Sequence, residues 1–169
     1  MNHLVNASTT DIRQAKTTVT VPILKAIACN IGHLNLAIRI ESVYKILKQT
    51  PVYSSGLNSV GIAHMGDREV TVFDLERHLF QTSSLDTAQN GYLVVVRNAT
   101  NELRGIPVAT LPTLIDIPLP TLRLLPESYR HSDTLGIASH VAIVPESEGL
   151  LTLFLLDLNF ALPSREEAS

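Results

Sequence analysis

The chain has 169 residues, of which 45% are hydrophobic and 17% charged, with a net charge of −3. It is long enough for one domain, or for two small subdomains with a common core, and too apolar for a disordered chain. Lys and Arg are scattered and the balance is slightly acidic, so the basic footprint that nucleic acid requires is lacking.

Residues 1–21 are rich in Thr, Ser, Asn and Gln and read as a mobile N-terminal arm without an export signal. Residues 24–30 predict a first strand, Ile31-Gly32-His33 a tight turn, and residues 36–38 the returning strand. Ile40, Val43, Tyr44 and Leu47 fall at helical spacing and predict one or two helical turns. Residues 50–59, with Pro51, Gly56 and Asn58, predict a loop. Residues 62–65 and 69–73 flank Gly66-Asp67 as the arms of a hairpin. Asp74 then closes the strand and precedes Leu-Glu-Arg-His-Leu. There its carboxylate can accept the free amides of a first helical turn, with Leu75, Leu79 and Phe80 as the buried stripe.

The second half echoes the first. Strands at 92–96 and 103–108 flank a turn at 98–101, and LLTLFLLDLNFAL repeats the strand-to-helix corner with Asp157, Leu158 and Leu162. Two half-repeats predict two similar small β-barrels joined at residues 81–90, the second lengthened by a Pro-rich insert at 112–126. Residues 22–163 form the domain, and residues 164–169 read as a solvated tail.

The stretch GIAHMGDREVTVFDLERHLF holds His64, Asp67, Glu69, Asp74, Glu76 and His78. Along an extended strand Glu69 and Asp74 project to opposite faces, which works against a paired-carboxylate site. Zinc would require His64, Asp67 and His78 to meet about 2 Å from one ion, yet the two histidines lie before the hairpin and beyond its far strand. The expectation is therefore no metal, no cofactor and no catalytic residue. A metal-binding or hydrolytic β-barrel enzyme using those three is the alternative. His33, His131 and His140 lack a partner at ligand spacing, and Ser139-His140 lacks the strand–turn–helix context of a nucleophile elbow. Cys29 is the only cysteine, which excludes an intrachain disulfide and reads as a buried core thiol in a reducing compartment. The sequons at Asn6 and Asn98 read as chance. The apolar runs fall short of the ~18 residues of a membrane span, and the expected location is cytoplasmic.

The order of LAIRIESVYKIL, GIAHMGDREVTVFDL, YLVVVRNATNELRGIPVATLPTLIDI and LLDLNFAL, across residues 24–162, resembles the CheW-like family of chemotaxis coupling proteins. The resemblance implies a mainly all-β fold of two SH3-like barrels, about five strands each, around a shared core with a few short helices. It also implies a non-enzymatic adaptor that bridges chemoreceptor cytoplasmic tips to the regulatory domain of a CheA-type histidine kinase, with pilus motility or phototaxis as candidate outputs. Carried over position by position, Val43, Gly61, His64, Met65 and Gly66 are the partner-binding residues, while Asp74 and Asp157 are structural helix caps. The family hairpin reads Gly-x-x-Asn-Leu-Arg-Gly with a later Pro. Here Gly66 stands in place of the Arg and Thr71 in place of the Pro. A diverged module that binds a kinase or another partner without receptors is the second reading.

Overall fold

The computed structural model describes residues 20–82, 90–130 and 136–159. The first half holds β1 (Ile23–Ile31), β2 (Leu34–Arg39), a 3₁₀ turn (Ile40–Ser42), β3 (Val43–Lys48), β4 (Val52–Ser54), β5 (Val60–Met65), β6 (Arg68–Phe73) and α1 (Leu75–Phe80). The second holds β7 (Tyr92–Arg97), β8 (Leu103–Val108), β9 (Thr113–Pro118), a 3₁₀ turn (Leu119–Thr121), β10 (Leu122–Leu124), α2 (Glu127–Arg130), β11 (Ala138–Glu146) and β12 (Gly149–Leu156). The chain is mostly β, in two curled sheets with few short helices, consistent with the two-subdomain β fold.

One sheet runs β10-β11-β12-β2-β1-β9 and the other β4-β5-β6-β8-β7-β3, six strands each against the five or so expected. Adding six to each first-half strand number and subtracting six from each second-half one converts one order into the other. The half-repeat is therefore real, but the sheets do not divide between the halves. β1 pairs antiparallel with β9 and β2 parallel with β12, while β7 pairs antiparallel with β3 and β8 parallel with β6. Each half lends its first hairpin to the other half's sheet. The expectation of two barrels in series, joined at residues 81–90, is corrected accordingly.

The reason lies in the hairpin sequences. LNLAIR and YLVVVR are apolar almost without alternation, the pattern of strands covered on both faces. Leu36 and Ile38 of β2 and Val94 and Val96 of β7 point into a central core with Cys29, Ile31, Leu75, Ile106 and Val108. The intervening Ala37 faces the interior of its own sheet with Ala26, Ile117, Ala142 and Leu153. Likewise Leu93 and Val95 face Val52, Ala63, Val70 and Val72. A hairpin kept within its own half would leave one of those faces wet.

Three local expectations also change. The spacing of Ile40, Val43 and Leu47 yields a single 3₁₀ turn and then β3, because the segment forms the sheet edge beside β7. Within the expected loop, residues 52–54 pair with β5 as β4. The supposed insert at 112–126 is the counterpart of β3 and β4. Pro118 ends β9, an edge strand where a missing N–H is tolerated, and Pro120 lies in the 3₁₀ turn. The tail at 164–169, all but the last two residues of the arm, most of the 81–90 join and the helix expected after Asp157 lie outside the described residues.

The ends of β6 and β12 share one backbone hydrogen-bond pattern. The Asp74 N–H donates to Ser59 O at 2.8 Å, and the Asp157 N–H donates to Ile137 O at 2.7 Å. Asp74 is fully buried, and its Oδ1 accepts from the Arg77 N–H at 3.1 Å, capping α1. Leu75 beneath it is fully buried, whereas Leu158 is partly buried against the central core. Replacing Asp74 by Ala orphans the Arg77 amide and should cost about 1–2 kcal/mol, or about 2–8 °C in Tm. Asp74→Asn, still a cap, should recover most of it in thermal melts.

Candidate functional site

Where the chain crosses between the sheets it leaves a groove of about 470 Å³. Arg39, Glu41 and Ser42 at the first crossing form one wall, Arg97, Asn98 and Ala99 at the end of β7 a second, and Ser139 with residues 155–159 a third. A second depression of about 450 Å³ is lined by Arg68, Glu69 and Thr71 of β6 with Asn101, Glu102 and Leu103 before and on β8. Arg97 lines both, and its guanidinium lies over the Tyr44 ring, 4.8 Å from the centroid.

The wall between the depressions is rigid by construction. Asn98 is buried, and its Oδ1 accepts from the Thr100 N–H at 3.1 Å, the Thr100 hydroxyl at 2.8 Å and the Glu102 N–H at 2.8 Å. Its Nδ2 donates to Glu102 Oε2 at 3.2 Å. One side chain thus organises the β7–β8 turn, an amide acting as a local scaffold. On the facing wall, Asp157 Oδ1 accepts from the Asn159 N–H at 3.0 Å, and Oδ2 lies 3.9 Å from Arg130.

Of the five residues assigned to partner binding, Val43 alone adjoins the groove, next to Ser42, and it packs on the central core. Met65 is partly buried against Val52, Ala63 and their neighbours, in company with Leu47 and Leu103. His64 is exposed, paired in register with Glu69, its ring 6.1 Å from that of Tyr53. Gly61 is buried, and a Cβ there would meet Val52 Cγ1 at 2.7 Å and Tyr53 O at 3.0 Å, so its duty is close strand packing. Gly66, at φ 62°, supplies the left-handed turn of the β5–β6 hairpin, with open space around it. These hairpin residues stand beside the second depression through their neighbours Arg68 and Glu69.

Among the described residues no group of three or more His, Cys, Asp or Glu side chains is placed to share an ion, and His64, Asp67 and His78 do not come together. His140 Nδ1 and Ser139 Oγ are 2.8 Å apart at the β11 bulge. No carboxylate among the described residues is hydrogen-bonded to that ring, so the base lacks the orienting third group of a catalytic triad. His33 stacks against Phe80, centroids 4.6 Å apart. Burial pushes the Cys29 thiol up to about 12 from its ordinary 9.0. A raised folded-state value stabilises the protonated native form, so that stability is complete below about pH 9 and is lost towards pH 12. In that window Cys29→Ala should lose stability less steeply than wild type, by up to about 1.4 kcal/mol per pH unit. Urea melts between pH 8 and 11 check this.

No protein-family model and no curated protein sequence matches the chain. Among solved structures, the scaffolding protein TtCheW from Thermoanaerobacter tengcongensis superposes with a TM-score of 0.65 over 85% of this chain and 90% of that one. The fold is CheW-like. At 13% identity the likeness is one of architecture, and it fits the exchange of hairpins and the shared core described above. Sequence reasoning missed two residues of this CheW-like seam, Arg97 and Arg104. Both sit in strands whose apolar neighbours mark them as core; Arg97 lines the groove, and Arg104 reaches its wall through Leu158 O.

Proposed function

We propose that the chain is a cytoplasmic, non-enzymatic adaptor of a chemosensory array, coupling chemoreceptor tips to the regulatory domain of a CheA-type histidine kinase, with pilus motility or phototaxis as its output. The observation that carries this reading is the seam groove in a CheW-like fold, joined through Arg97 to the depression beside the β5–β6 hairpin. An adaptor also needs a second surface. Tyr53 on β4, 63% exposed, lies opposite Ile62 on β5, and on the other sheet Leu124, at the end of β10, is 65% exposed. Among the described residues β4 and β10 each end a sheet, with no further strand paired to their outer side. Exposed edges with apolar side chains suit pairing with another barrel, which is the contact proposed for the kinase domain. No helix among the described residues is long and apolar enough to cross a membrane.

Calorimetric titration of the purified chain with each partner separately tests the proposal. Saturable binding of the kinase regulatory domain, and weaker binding of the receptor tip, is expected. Absence of heat with both, at concentrations of a few hundred micromolar, would overturn it. Binding of the kinase domain alone would favour the receptor-independent module.

A further inference from the structure

The near-identity of the two half-repeats singles out one residue. In register, β12 meets β2 at Phe154–Leu36 and Leu155–Ala37, and β6 meets β8 at Thr71–Arg104 and Val72–Gly105. Leu36 and Arg104 therefore occupy equivalent places. Leu36 is fully buried in the central core. Arg104 shares its strand face with Ile106 and Val108, both in that core. A guanidinium thus stands where the sister half places a core leucine.

Its contacts reach both depressions. Nη1 donates to Leu158 O at 3.3 Å, on the wall of the seam groove, and Nη2 to Glu102 Oε2 at 3.3 Å, on the wall of the second depression. The group lies over the Phe73 ring, 5.3 Å from the centroid. Its side chain is only 19% exposed, and Nε is buried without a partner among the described residues. Two long hydrogen bonds and an orphaned donor are poor compensation for desolvating a charge, so stability does not account for this arginine.

We propose that Arg104 is a positioning residue: a latch that fastens the Asp157–Asn159 corner of one sheet to β8 of the other and so sets the shape of the groove between them. The inference concerns the groove itself and holds whatever docks there. Because Glu102 is more than half exposed, replacing Arg104 by Leu leaves no carboxylate stranded and reproduces the sister half's packing. The latch should then be lost without loss of the fold.

The test is hydrogen–deuterium exchange with thermal melts on the full-length wild type, Arg104→Leu and Arg104→Lys. Asp157 and Asn159 amides report the latched corner, and the Asp74 amide, bonded to Ser59 O, is the matched control. In Arg104→Leu, exchange at Asp157 and Asn159 should quicken by about tenfold or more, with Asp74 unchanged and Tm equal or higher. Arg104→Lys, which keeps the charge and one donor, should fall between and decides the matter if the leucine variant fails to fold. Unchanged exchange at Asp157 and Asn159 in the variants that fold would overturn the latch. So would a fall in Tm with exchange rising equally at both corners, which would make Arg104 an ordinary stabilising residue.

Discussion

Leu36→Ala should lower stability by about 2–5 kcal/mol, and Tm by about 4–20 °C, while unfolding remains a single transition. Leu36 is fully buried and packs in the central core between the exchanged hairpins, among Val94, Val96, Ile106 and Leu75. The cavity left by three lost carbons is walled by strands of both sheets, so neither can collapse into it alone. If each half made its own barrel, damage on β2 would weaken one lobe and split the transition. With hairpins exchanged, neither half of the chain completes a sheet alone, and fluorescence and circular dichroism should report one common midpoint. Two separated midpoints would refute the shared core.

Gly66→Arg should raise affinity for the receptor tip by about ten- to a hundredfold and leave kinase-domain affinity nearly unchanged. The family resemblance places an arginine at this position, and a charge-assisted hydrogen bond contributes roughly 1.5–3 kcal/mol, each 1.4 kcal/mol being a factor of ten. Space is not the obstacle, since nothing lies within 4 Å of a Cβ built at Gly66. Its φ of 62° is the cost: a side chain in the left-handed region loses roughly 1 kcal/mol of stability. The variant should therefore melt slightly lower yet bind the tip more tightly. Kinase binding, proposed to run through strand edges and apolar contacts, does not call on a charged side chain at this turn. Weaker tip binding by the variant would show a groove with different chemistry.

What was legible in the sequence was whatever repeats or alternates. The hairpin around Gly66, the Asp74 cap and the matching corner at Asp157 were visible because turn and cap residues act within three or four positions. The pairing of β1 with β9, and of β2 with β12, spans more than half the chain, and no local pattern records it. LNLAIR and YLVVVR, apolar almost without alternation, were the clue that these hairpins are covered on both faces. The groove was less legible than the fold. Val43 came from the resemblance and only adjoins the groove, and Arg97 becomes a shared wall only through the β7–β8 turn that Asn98 holds. Arg104 hides in LRGIPV as one polar residue on an otherwise apolar face.

Sedimentation velocity on a mixture of the chain, a receptor-tip fragment and the kinase regulatory domain tests the adaptor reading most directly. The account predicts one boundary containing all three components, with tip and kinase domain migrating separately when the chain is left out. Two boundaries, with the folded chain bound to neither partner, would contradict it.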